Sequence, residues 1–252
     1  MVNKKQLTDY MKKVYEVIVR DDYLEKMPSF PISAFSDCVF SATDSTSTDS
    51  DSTVSNSAKT NYDEKEYLQK IKQAHECLLK DLDFFMLSDP AADSVEEVLI
   101  CYPGFKAIVY HRIAYILYQM NCKIGARIIS EEAHFLTGID IHPGAKIGCP
   151  FFIDHGTGIV IGETTVIGDN VKIYQGVTLG ALSLSKGCDL KGVKRHPTIL
   201  NNVTIYSGAS ILGDITIGNN CVIGSNVFLL ESISDNCRVV LNKPELVVSK
   251  RK

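Results

Sequence analysis

A chain of 252 residues that is 45% hydrophobic and carries a formal net charge of −4 can bury a sizeable core and has room for two subdomains. It has no basic field for nucleic acid, no apolar run near the roughly 18 residues of a membrane span, and an N-terminus, Met1-Val2-Asn3-Lys4-Lys5-Gln6, without the apolar core of a signal peptide. A cytoplasmic protein with neither a nucleic-acid nor a membrane partner is expected. Its eight cysteines are scattered, with no C-x-x-C pair, and read as reduced packing residues rather than a disulfide scaffold or a metal cluster.

In chain order, residues 1–40 open with Leu7, Tyr10, Met11, Val14, Val17 and Ile18 at helical spacing, which predicts one amphipathic helix. Residues 41–61 are rich in Ser, Thr and Asp and nearly devoid of apolar side chains, a composition that cannot offset its ordering entropy, and are expected to form a linker. Residues 62–137 return to helical patterning. Tyr67, Ile71, His75, Leu78, Leu79, Leu82 and Phe85 form one run, stopped by Ser88-Asp89-Pro90. Ser94 and Glu97 suit a capping box, and Pro103 suits the first turn of a longer helix through Ile108, Ile113, Ile116 and Leu117. A last short helix from Arg127 to Phe135 ends at Thr137-Gly138.

From 138 to 231 the pattern changes to an aliphatic residue every sixth position. Ile141, Ile147, Ile153 and Ile159 hold one phase, a two-residue slip resets it, and Ile161, Ile167, Ile173 and Leu179 continue. Ile199, Ile205, Ile211, Ile217, Ile223 and Leu229 form a third run. Six is neither a helical nor a simple strand period. It predicts a solenoid of short strands that turns a corner every six residues, three hexads to a coil, each aliphatic stacking inward on its copy one coil away. Gly168-Asp169-Asn170, Asn201-Asn202 and Gly218-Asn219-Asn220 suit the corners, where positive φ is needed. Residues 232–252 read as a tail.

A polar residue where the repeat wants filler gives up packing for something else. Asp140 and His142 bracket Ile141, Asp154-His155 follows Ile153, and Arg195-His196 closes a loop, Ala181 to Lys194, that interrupts the third coil. Asp154 and His155 fall 14 and 15 residues after Asp140, a spacing by which adjacent coils can bring a carboxylate and an imidazole together. An Asp that orients a His, which in turn removes a proton from a hydroxyl, is the general-base arrangement for attack on a carbonyl.

The segments Asp140-Ile141-His142-Pro143, Asp154-His155-Gly156-Thr157-Gly158, Gln175-Gly176-Val177-Thr178-Leu179-Gly180 and Arg195-His196-Pro197 together resemble serine O-acetyltransferases, hexapeptide-repeat enzymes that open cysteine biosynthesis. Asp89-Pro90-Ala91-Ala92-Asp93 matches the helical domain of that family. The resemblance implies an N-terminal all-α domain followed by a left-handed parallel β-helix, and direct acetyl transfer from acetyl-CoA to L-serine with no metal. It further implies that His155 is the general base and Asp140 its orienting partner. Asp89 and Asp154 would hold the serine ammonium group. Arg195 would clamp the carboxylate, for which a planar guanidinium is suited, and His196 would contact the substrate. Backbone groups around Gly180, Ala181, Ser207 and Ser225 would line the pantetheine channel between subunits of a homotrimer or a dimer of trimers.

Three departures from the family pattern stand out, one being that the N-terminal segment and its Ser/Thr linker have no counterpart in it. The loop after Leu179-Gly180 reads Ala181-Leu182-Ser183-Leu184-Ser185-Lys186 in place of a Gly-rich run. The chain closes on Val247-Val248-Ser249-Lys250-Arg251-Lys252 where many members carry a terminal Ile that docks into the next enzyme, so the complex with O-acetylserine sulfhydrylase is not carried over. Rival readings are a sugar O-acetyltransferase, which leaves Arg195 and the acidic residues without a purpose; a metal-dependent carbonic anhydrase on the same solenoid, for which His142, His155 and His196 lack ligand spacing; and an inert assembly scaffold.

Overall fold

A computed structural model describes residues 4–18, 64–182 and 192–242, and the chain falls into two compact units that divide between Gly144 and Ala145. The linker expected over 41–61, positions 183–191 of the predicted loop and the tail beyond 242 lie outside the described residues.

The first unit holds α1 (Lys4–Ile18), α2 (Glu64–Ser88), α3 (Val95–Cys101), α4 (Pro103–Gln119), α5 (Lys123–Thr137) and β1 (Asp140–Ile141). The helix ends follow local chemistry. Ser94 Oγ accepts the Glu97 N–H at 3.1 Å, while Glu97 returns a carboxylate oxygen to the N–H of Asp93 at 2.9 Å, one residue before the cap. Pro103 occupies the first turn of α4, and Gly138, at φ 70°, ends α5 in the left-handed conformation. Tyr10 and Met11 of α1 pack with Tyr67 and Ile71 of α2, Ile113 and Leu117 of α4, and Ala126 and Ile129 of α5. One charge pair is sunk among these helices: Arg112 Nε and Nη2 donate to the two oxygens of Asp81 at 2.7 and 2.9 Å, with Asp81 fully buried. The two-point contact satisfies both ions, and neither could be removed without stranding the other in an apolar surrounding.

The second unit is a left-handed parallel β-helix whose strands form three faces. The first carries β4 (Val160–Ile161), β7 (Thr178–Gly180), β10 (Ser210–Leu212) and β13 (Phe228–Leu229) in that order. The second carries β2 (Lys146–Ile147), β5 (Val166–Ile167), β8 (Thr198–Ile199) and β11 (Thr216–Ile217). The third carries β3 (Phe151–Asp154), β6 (Val171–Tyr174), β9 (Thr204–Ile205), β12 (Val222–Ile223) and β14 (Arg238–Val239). The periodic aliphatics form the interior: Ile153, Ile161, Ile173, Leu179, Ile199, Ile205, Ile211, Ile217 and Ile223 are all buried. Each stacks on its copy, as Ile161 on Leu179, Leu179 on Ile211 and Ile211 on Leu229.

The corner between the second and third faces is closed by a ladder of carboxamides and carboxylates. Asp169, Asn201, Asn219 and Asp235 each accept a backbone N–H from the coil before, at 2.8 to 3.1 Å. Beside them Asn170, Asn202, Asn220 and Asn236 take positive φ of 58 to 62°, a conformation Asn tolerates better than other side chains. The stack continues past Leu230, because Val222 pairs with Arg238 and Ile217 with Ile233, 16 positions on rather than 18. A coil two residues short breaks the six-residue phase, so spacing alone ends the run too early.

Cys77 and Cys149 are each disulfide-bonded, whereas Cys101, Cys122, Cys221 and Cys237 remain thiols. This corrects the expectation of eight reduced cysteines, since sequence spacing carries no information on a pairing made by the fold.

Candidate active site

The two-residue slip in the repeat is the place where His155 stands. Ile153 pairs with Ile173 and Ile161 with Leu179, so eight positions separate the first two aliphatics where six separate their partners. The surplus is spent at the corner between the third and first faces, Asp154 to Ile159. There the N–H of Gly156 donates to the carbonyl of Asp154 at 2.6 Å, closing a three-residue turn around His155. His155 takes φ 55°, and every other described non-glycine residue at positive φ is an asparagine. Backbone held in a sparsely populated region needs support from its surroundings. It comes from Gly156 and Gly158 at φ 82 and 78° and from the Thr157 carbonyl, which accepts the Gly176 N–H of the next coil at 3.0 Å. The result is an imidazole thrust outward, its side chain 73% exposed, with Nε2 3.7 Å from Oδ1 of Asp154.

Ser207 and Ser225 continue the same corner. The Gln175 carbonyl accepts from Gly208 and the Ser207 carbonyl from Asn226, both at 2.9 Å, and the Ser207 hydroxyl donates to that of Ser225 at 3.3 Å. Beside this polar column Tyr174, which pairs in register with Asp154, stacks on Tyr206 with centroids 5.0 Å apart and planes 22° from parallel. The aromatic pair was not foreseen, because the inserted loop places its members 32 positions apart and hides the register.

Arg195 and His196 occupy a different corner, the one between the first and second faces. The loop that follows Gly180 and Ala181 returns to the coil here: Val166 pairs with Thr198, 32 positions on. Arg195 Nη2 donates to Glu163 at 2.5 Å, and the backbone N–H groups of Arg195 and His196 both donate to Thr164 Oγ1, at 3.0 and 3.1 Å. His196 is buried, its ring against Gly162, where a Cβ would come within 2.1 Å of Nε2. Beside it Lys194, 3.7 Å from Asp214, has its pKa lowered by burial, partly offset by that carboxylate. Glu163 and Thr164 had no role assigned from the sequence. Their partners lie 31 and 32 positions on, across the inserted loop.

Within one chain, therefore, His155 is joined by Ser207 and Ser225, while Arg195 and His196 are joined by Gly180 and Ala181 at the far edge of the first face. With about 3.3 Å per extended residue, the strand between the two corners holds them on the order of 10–20 Å apart. In the first unit, Asp89 sits in the turn after α2. Its Oδ1 accepts the Ala91 N–H at 2.8 Å and its Oδ2 the Tyr102 hydroxyl at 2.7 Å, leaving lone pairs for further donors. Asp140 begins β1, directly after α5. Among the described residues no group of three or more His, Cys, Asp or Glu is placed to hold a metal ion, and no helix is long and apolar enough to cross a membrane.

Residues 196–230 match the bacterial transferase hexapeptide (six repeats) family. A serine acetyltransferase from Synechococcus elongatus is 52% identical over 170 residues, which are 66% of this chain and 53% of that protein. The serine acetyltransferase of Bacillus licheniformis is 48% identical over 171 residues, 68% of this chain and 76% of the relative. Among solved structures, serine acetyltransferase isoform 3 from Entamoeba histolytica in complex with cysteine is matched with a TM-score of 0.68 and 41% identity, over 74% of this chain and 64% of that one.

Proposed function

We propose that this chain, which belongs to the serine acetyltransferase family, transfers the acetyl group of acetyl-CoA to the hydroxyl of L-serine, giving O-acetyl-L-serine and CoA, as the first step of cysteine biosynthesis. The observation that carries this reading is the histidine corner. At this corner the solenoid inserts two residues and a positive φ to expose one imidazole beside one carboxylate.

His155 takes the proton as the serine oxygen attacks the thioester carbonyl, and returns it to the departing CoA sulfur when the tetrahedral intermediate collapses. Asp154 accepts from the substrate ammonium and Arg195 donates to its carboxylate, so the amino acid is gripped at both charged ends. Asp89 and Asp140 keep the roles that the family pattern gives them, on the ammonium group and on the base. Acetyl-CoA is a co-substrate, and no further cofactor enters the reaction.

A homotrimer belongs to this reading. With His155 and Arg195 at two corners of a triangular coil, copies packed side by side around a threefold axis set the histidine corner of one against the arginine corner of the next. The pantetheine arm then lies along the seam, between Ser207 and Ser225 on one side and Gly180 and Ala181 on the other. Such an enzyme works in the cytoplasm.

The deciding experiment is CoA release measured with L-serine against a panel of hydroxyl acceptors, including sugars. Serine-dependent release is expected. Faster turnover of a sugar, or no release with serine, overturns the proposal.

A further inference from the structure

Thr164 sits at the arginine corner with every hydrogen-bonding position of its hydroxyl in use. Its Oγ1 accepts the N–H of Arg195 at 3.0 Å and that of His196 at 3.1 Å. The same oxygen stands 2.9 Å from His196 Nδ1, which also receives the backbone N–H of Thr164 at 3.1 Å. A hydroxyl has one hydrogen and two lone pairs. Both lone pairs are taken by main-chain donors, so the hydrogen points to Nδ1. That nitrogen is met by two donors, one of them a backbone N–H that has no other role to play, and it must itself be unprotonated. The hydrogen of the neutral ring is then on Nε2. Turning the ring over would set a carbon against both donors, and Gly162 packs so close to Cδ2 and Nε2 that a Cβ would lie 2.1 Å away. The ring is cradled on both sides.

We propose that Thr164 is a positioning residue that fixes His196 as the Nε2–H tautomer, so that His196 gives a hydrogen bond and cannot serve as a base. The proposal rests on the reading above in which His196 contacts the substrate, and it specifies that contact: Nε2–H donates to a carboxylate oxygen of L-serine. The two histidines thus divide the work. His155, exposed on a strained turn, moves the proton, while His196, locked through Nδ1, only donates.

Nitrogen-15 NMR of the full-length protein labelled at its six histidines tests this, with His196→Gln assigning the resonance. A neutral His196 with a bare Nδ1 and a protonated Nε2 is expected near neutral pH. An Nδ1–H tautomer or a cationic ring overturns the proposal, whatever the activity. Thr164→Val removes the hydroxyl and is expected to give a mixture of tautomers and to raise the serine KM by about 10-fold, a free-energy change close to that of one lost hydrogen bond. Thr164→Ser keeps the hydroxyl and is expected to restore both. If the valine variant keeps the wild-type tautomer and serine KM, Thr164 is not a positioning residue; if it fails to fold, the wild-type spectrum and the serine variant still decide. An Nε2–H tautomer in a protein that does not acetylate serine would sink the reaction assignment and leave the tautomer standing.

Discussion

Arg195 and Glu163 form an ion pair across neighbouring coils, Nη2 to Oε2 at 2.5 Å, with the two side chains 21% and 28% exposed. The carboxylate aligns one edge of the guanidinium, whose Nη1 also donates to the Val193 carbonyl at 3.3 Å; in the proposed function this planar group is the one that meets the serine carboxylate.

Lysine cannot reproduce that geometry. Arg195→Lys is expected to raise the KM for serine by about 10-fold or more, with much less change in the KM for acetyl-CoA. Initial rates with each substrate varied in turn provide the check, and equal effects on both would indicate that the arginine only shapes its corner.

His155→Ala removes the base and is expected to lower turnover by about 10²–10⁴-fold while the β-helix stays intact, because the residue protrudes and fills no core volume. Retention of more than about a tenth of wild-type activity at saturating serine contradicts the assignment. The same variant tests the shared site: refolding it together with Arg195→Ala is expected to restore part of the activity, since mixed assemblies contain some seams with both residues intact. No recovery would mean that each chain completes its own site.

L-Cysteine carries the same ammonium and carboxylate as serine, with a thiol where the hydroxyl lies, and a serine acetyltransferase structure similar to this chain was determined with cysteine bound. Inhibition competitive with serine is expected. Inhibition that excess serine does not relieve would put the cysteine elsewhere.

The helical unit has its own pH limit. Burial, partly offset by the hydrogen bond with Tyr67, pushes the Tyr10 hydroxyl from the usual 10.0 up to about 12. Burial, with a smaller contribution from the Glu132 charge, does the same to Tyr110, and Tyr15 is raised as well, chiefly by burial. Each folded pKa lies above its unfolded value, so these phenols stabilise the fold fully below pH 10 and lose that contribution as pH rises towards 12. Helical circular dichroism and tyrosinate absorbance are expected to change together in that window, with Tyr10→Phe moving the transition upward. Tyrosines that ionise near 10 with the helices undisturbed would refute the coupling.

The fold was readable because its cause is local and repeated. An aliphatic at every sixth position can be buried only by a coil of short strands, and Gly and Asn at the intervening corners supply the positive φ those corners need. His155 stands out in the sequence only as a polar residue after Ile153: the hexads put the two-residue slip after Ile159, whereas the coil takes up its surplus earlier, between Asp154 and Ile159. Where the period itself changes, the signal fails. The final coil, two residues short, still pairs Val222 with Arg238, held by Asp235 at the corner, although no hexad marks it.

What the sequence determined, then, is everything set by neighbours along the chain: the helix caps at Ser94 and Gly138, the hexads, and the identities of the polar residues that interrupt them. What tertiary structure alone decided is which of those residues meet. The inserted loop sets the strand register across it at 32 positions, so that Thr164 receives His196 and Tyr174 receives Tyr206. The triangular section of the coil then sends His155 and Arg195 to separate corners, since a side chain's direction depends on which strand precedes it and not on its distance along the chain.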